Sequence, residues 1–124
     1  MGAPMKAAYW EKLRDPRWQK LRLKIMERDG FTCRRCCETE LPLNVHHGYY
    51  EKGLEPWEYH PKTLWTLCEE CHRTVHEFQR KIYRQIAEIE PQFADETLLK
   101  VIRRFQARVK WAERPHRRLV GSQK

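Results

Sequence analysis

The sequence predicts a small α+β domain that relies on a bound metal for stability, and three observations lead there. Leu, Ile, Val and Phe make up 25 of 124 residues, about 20%, the composition at which a basic chain struggles to bury a core. Two C-x-x-C pairs, Cys33/Cys36 and Cys68/Cys71, stand 31 residues apart, and a small chain with a thin core is commonly stapled by metal or disulfide. Two short runs suited to strands lie among patterns of helical period.

The five cysteines argue against a closed disulfide framework. No stretch approaches the ~18 apolar residues of a membrane span, and residues 1–9 lack the apolar segment of a secretory signal. The expectation is a soluble, cytoplasmic protein without a membrane partner. In a reducing compartment, C-x-x-C pairs read as metal ligands or redox sites before structural bridges. There is no internal repeat, low-complexity tract or Gly-rich phosphate loop.

The elements follow in order. Asp15-Pro16 opens a helix, Asp capping free N–H groups and Pro occupying the first position without losing a hydrogen bond. Trp18, Leu21, Ile25 and Met26 share its apolar face, Arg17, Lys20, Arg22, Lys24 and Arg28 take much of the rest, and Gly30 stops it. Leu41, Leu43 and Val45 alternate with Pro42 and Asn44 as a strand ending at His46-His47. Residues 48–62 read as a long loop carrying Tyr49, Tyr50, Trp57 and Tyr59, with packing favoured for Trp57. Leu64–Leu67 is a second short apolar run.

From His72 the pattern turns helical. Val75, Phe78, Ile82, Ile86 and Ile89 recur every three or four residues until Glu90-Pro91. A further helix begins near Asp95 with Leu98, Leu99, Ile102, Phe105 and Val109 on one face. Mutual packing of these stripes predicts a helical hairpin over 78–113, and a homodimer interface is the other use. The expected organisation is one domain over 1–124: a core at 15–77, the hairpin, and a flexible basic tail at 114–124.

The net charge of +8 is unevenly spread: +4 over residues 1–45, −2 over 46–76 and +6 over 77–124. Basic flanks around a histidine-rich middle suit a polyanionic partner. Charge alone is equally compatible with an ordinary solvated surface.

Cys33, Cys36, Cys68 and Cys71 form a complete tetrahedral thiolate set for structural Zn2+, which leaves no open position for substrate. Cys37 is left over, at a place where such knuckles often have Gly, and is expected to occupy a tight backbone position as a bystander. His72 and His76, four apart on a helix, can meet one ion, while His46 and His47 on a strand point to opposite sides. If one of the latter pair reaches the helix, a three-histidine site with vacant positions results, the form of a catalytic metal site. A C2H2 finger from Cys33, Cys36, His72 and His76 is disfavoured by the 35 residues between Cys36 and His72. His60 and His116 have no such pairing and read as ordinary surface residues.

Val45-His46-His47, Thr63-Leu64-Trp65-Thr66-Leu67-Cys68-Glu69-Glu70-Cys71-His72 and His76 together resemble the HNH endonuclease family, whose ββα-metal motif many members combine with two pairs of zinc cysteines. The resemblance covers about Trp18 to His76, and so makes 15–77 an HNH nuclease core. It implies that His46, His72 and His76 hold a catalytic divalent ion, Mg2+, Mn2+ or another transition metal, and that His47 is the general base. Thr63 stands where the family most often has Asn, whose carbonyl orients the base histidine; a Thr hydroxyl can also accept, over a shorter reach. The implied activity is hydrolysis of DNA, double-stranded by expectation, with one strand nicked per active site. The nucleic-acid-binding residues are not assigned. The competing class is a zinc-stabilised DNA-binding module without catalysis, and a redox protein built on C-x-x-C is a third.

Overall fold

The protein is described from a computed structural model giving the backbone of residues 2–122 and the side chains of residues 8–109. It is a small mixed structure of helices and one two-stranded sheet, with elements in the order α1 (Gly2–Leu13), α2 (Pro16–Arg28), β1 (Leu43–His47), β2 (Leu64–Cys68), α3 (Glu69–Ala87) and α4 (Glu96–Ser122). The chain divides into two compact units, Met1–His76 and Glu77–Lys124.

α2 starts as expected: Asp15 is extended, its side chain accepts from the Arg17 N–H, and Pro16 fills the first turn. Gly30, just past the end, has φ +65°, the left-handed geometry that glycine adopts without a Cβ clash. α1 is an element the sequence reading did not anticipate.

β1 and β2 pair antiparallel, with Val45 opposite Thr66, His46 opposite Trp65 and His47 opposite Leu64. The 16-residue connection between the two strands holds two 3-10 turns, Pro56–Glu58 and Pro61–Thr63, each opened by a proline. Immediately after β1, the Gly48 N–H donates to the Thr63 carbonyl at 2.7 Å. A Cβ on Gly48 would sit 2.9 Å from that same oxygen, so the sheet closes here only over a residue without a side chain.

Two small apolar clusters result. Trp18, Ile25 and Met26 of α2 meet Val45, Tyr59 and Leu64, and Leu67 packs with Cys33, Cys68 and Cys71, Val75 flanking them. Arg28 fastens α2 to the sheet by donating to the carbonyls of Pro61 (2.7 Å) and Leu64 (2.6 Å). Its guanidinium also chelates Asp29 at 2.8 and 3.0 Å.

In the second unit the expected hairpin packing is corrected. Phe78, Ile82 and Ile86 of α3, and Leu99, Ile102, Phe105 and Val109 of α4, are exposed to between 38% and 66%. The helical period identifies residues that share a face, but it carries no information about what covers that face. Pro91 and Asp95 punctuate the chain as anticipated: a 3-10 turn spans Pro91–Phe93, and Asp95 accepts from the Thr97 N–H at 2.8 Å. The backbone of the anticipated basic tail continues α4 to Ser122. Its side chains, His116 among them, and residues 123 and 124 lie outside the described residues.

Candidate metal centres and the cleft beside them

The two C-x-x-C pairs converge. Cys33 and Cys36 sit in the turn after α2, Cys68 closes β2 and Cys71 lies in the first turn of α3, so the strand-to-helix junction brings both pairs to one point. The four Sγ atoms lie within 4.8 Å of one another. Cys36 and Cys68 sulfurs are 3.8 Å apart, matching the edge of about 3.8 Å for a tetrahedron with Zn–S bonds of about 2.3 Å. These four cysteines can therefore hold a metal ion such as zinc.

Their titration argues the same way. Burial opposes ionisation of Cys33, but N–H groups of Cys36, Cys68 and Arg35 outweigh it and bring the thiol down to about 7. Burial and the neighbouring sulfurs of Cys71, Cys33 and Cys68 push Cys36 up to about 12. One thiolate is readily formed in this cluster, and a full set requires a cation among them. Cys37 is not in the cluster; it has φ +68°, the tight backbone position expected of it.

The histidines assemble separately. The alternation of β1 turns His46 toward α3, where its ring lies 5.2 Å from that of His72 and 5.0 Å from that of His76. The Nε2 atoms of His72 and His76 are 3.1 Å apart, and all three residues offer a ring nitrogen within 4.8 Å of the others. Neighbouring ligands on an ion with metal–nitrogen bonds of about 2.1 Å are separated by roughly 3.0–3.4 Å, so the donor set fits a divalent transition metal. Burial, then the adjacent imidazoles, lowers His46 to about 4. His72 is lowered for the same reasons. His46 and His72 thus offer neutral lone-pair donors at neutral pH.

His47 faces the other way. Its ring stacks on Trp18 at 4.8 Å, meets Tyr59 edge-on at 4.9 Å and is tilted against Tyr50 at 5.5 Å. Nε2 lies 3.1 Å from the Pro56 carbonyl oxygen, which can only accept, so the proton resides on Nε2 and Nδ1 carries the lone pair. Burial also lowers its pKa, partly offset by Pro56.

Thr63 has a different place from the one the sequence reading gave it. Its hydroxyl donates to the His60 carbonyl at 2.7 Å, within the 3-10 turn that Thr63 ends. The orienting contact to His47 comes instead from the Pro56 carbonyl. No sequence signal could have identified it, because every residue carries a carbonyl. His60 itself accepts from the Lys62 N–H at 3.2 Å, an ordinary capping role.

Beside these histidines lies an open cleft of about 800 Å³. His47 and His72 line it together, with Arg14, Arg22, Trp10 and Tyr50 among the other walls. Arg22 belongs to the basic face of α2 read from the sequence, whereas Trp10 comes from α1, which was not. No protein-family profile, curated protein or solved structure matches the chain.

Proposed function

We propose that the chain is a metal-dependent endonuclease of the HNH type that hydrolyses DNA phosphodiester bonds, nicking one strand per active site. The observation that carries this reading is that one cleft is lined both by His72, from the three-histidine cluster, and by His47, an imidazole held outside that cluster in a defined tautomer. The antiparallel strand pair followed by α3 supports this reading, as the order of elements that the resemblance implies.

His46, His72 and His76 would hold the catalytic ion, and Cys33, Cys36, Cys68 and Cys71 a structural Zn2+. A divalent ion with open positions supplies Lewis-acid stabilisation of charge developing on phosphate and leaving oxygen. Three imidazoles favour Mn2+, Co2+, Ni2+ or Zn2+ over Mg2+. His47 supplies the base: neutral at pH 7, with Nε2–H held by Pro56, it accepts the proton of an attacking water at Nδ1. The stack on Trp18 and the Pro56 contact fix the ring plane, a function the family assigns to the residue at the Thr63 position.

Conversion of supercoiled plasmid to open circles tests the proposal. Wild-type protein with Mn2+ nicks, and His47→Ala slows cleavage by about 10²–10⁴-fold while binding persists. Nicking by His47→Ala at the wild-type rate would remove His47 from the mechanism. A second reading, a zinc-stabilised DNA-binding module, is favoured by the 3% exposure of His47, and it predicts plasmid retardation without nicking by the wild-type protein.

A further inference from the structure

The cleft carries features that hydrolysis at a metal-bound phosphate does not require. Trp10 on α1 is 63% exposed and Tyr50, in the loop after β1, is 60% exposed, yet both line the same cleft as His47. Tyr9 lines the cleft beside Tyr50, so α1 and the loop after β1 build this aromatic wall together. Arg14 and Arg22 line the cleft as well, with Glu69 on the His72 side. A phosphate chain would therefore follow the arginines and avoid the carboxylate.

Exposed aromatic faces beside guanidinium groups match an unpaired strand and not a duplex. In a double helix the bases cover one another's faces and offer only edges, whereas an unpaired base presents a face on which an indole or phenol can stack. The volume of about 800 Å³ lies within the range of small-molecule sites, roughly 300–1,000 Å³.

We propose that this cleft seats unpaired DNA, with a base stacked on Trp10 and the flanking phosphates held by Arg14 and Arg22, so that single-stranded or locally opened DNA is the preferred substrate. The inference rests on the endonuclease reading and specifies its substrate class, moving it away from the fully paired duplex.

Fluorescence anisotropy of zinc-loaded full-length protein, without added Mg2+ or Mn2+, tests it. The probes are one labelled mixed-sequence deoxyoligonucleotide as a single strand, as a perfect duplex, and as a duplex with an unpaired bulge. The single strand and the bulge bind at least about tenfold more tightly than the duplex. Trp10→Ala weakens single-strand binding by about 5- to 150-fold and erases the preference, because stacking is worth about 1–3 kcal/mol per base. Trp10→Phe keeps part of it. Replacing both arginines, Arg14→Gln with Arg22→Gln, lowers the salt slope for the single strand by about 1.4. Equal or tighter binding of the duplex, or a preference that survives in Trp10→Ala, overturns the proposal but leaves the endonuclease reading to the plasmid assay. Binding of no DNA form overturns the cleft proposal, and an intact plasmid in the parallel assay overturns the endonuclease reading with it.

Discussion

Asp29 ends α2 and ties it to the sheet. Its side chain is 3% exposed, chelated by Arg28 and accepting from the Thr66 N–H at 3.0 Å. Burial works against the charge, but the Arg28 and Thr66 hydrogen bonds overcome it and hold the pKa below the ordinary carboxylate value. A depressed folded-state pKa gives stability that is present above the unfolded value and lost as pH falls through the folded one. The stability difference between wild type and Asp29→Asn is therefore full near neutrality and shrinks below about pH 4, as urea denaturation at stepped pH will record. Cys37 makes the opposite prediction. Its left-handed φ costs a non-glycine residue about 1–2 kcal/mol, so Cys37→Gly raises stability by up to about 1 kcal/mol after the added freedom of the unfolded chain is deducted, without altering metal content. That tight position was legible because the second cysteine of such a knuckle is commonly followed by Gly. The partner of His47 was not, since a backbone carbonyl has no letter in the sequence.

At the scale of elements, two-residue periodicity does most of the positioning. One strand, β1, sends His46 to the histidine cluster of α3 and His47 to the aromatic wall, and the adjacent pair in the sequence already implied that division. The register depends on the Gly48 contact with Thr63. Gly48→Ala forces that carbonyl aside, lowers stability by about 1–3 kcal/mol and displaces His47, so nicking falls by more than the stability loss alone explains. Thermal melts and plasmid kinetics on the same preparation separate the two effects. The helices were legible to unequal degrees. α2 announces itself by Asp15-Pro16 and Gly30, and α3 and α4 by their apolar periods. The first residues of α1 include Gly2 and Pro4, both poor helix formers in isolation, and the residues it adds to the cleft went unread with it.

For the molecule as a whole, zinc held by the four-cysteine cluster would compensate for a thin core. Zinc in a small module contributes on the order of 10 kcal/mol, comparable to the entire stability of a typical domain. Removal of zinc by a strong chelator therefore abolishes the cooperative unfolding transition followed by tryptophan fluorescence, because Trp18 is buried in the apolar cluster of the same compact unit, and re-addition restores it. The charge division read from the sequence is consistent with a cleft whose arginines come from the basic segment before residue 45. The apolar stripes of the second unit were legible as stripes, but their expected closure into a hairpin was not realised, because periodicity does not specify a partner. The proposed nuclease activity requires a second, open metal site at His46, His72 and His76 apart from the four-cysteine cluster. Mn2+ titration of the zinc-loaded chain, followed by the loss of the free-ion electron paramagnetic resonance signal, measures it directly. One Mn2+ is expected to bind per chain in the wild type and none in His72→Ala at unchanged zinc content; equal Mn2+ binding by that variant, or none by the wild type, would contradict the proposed site.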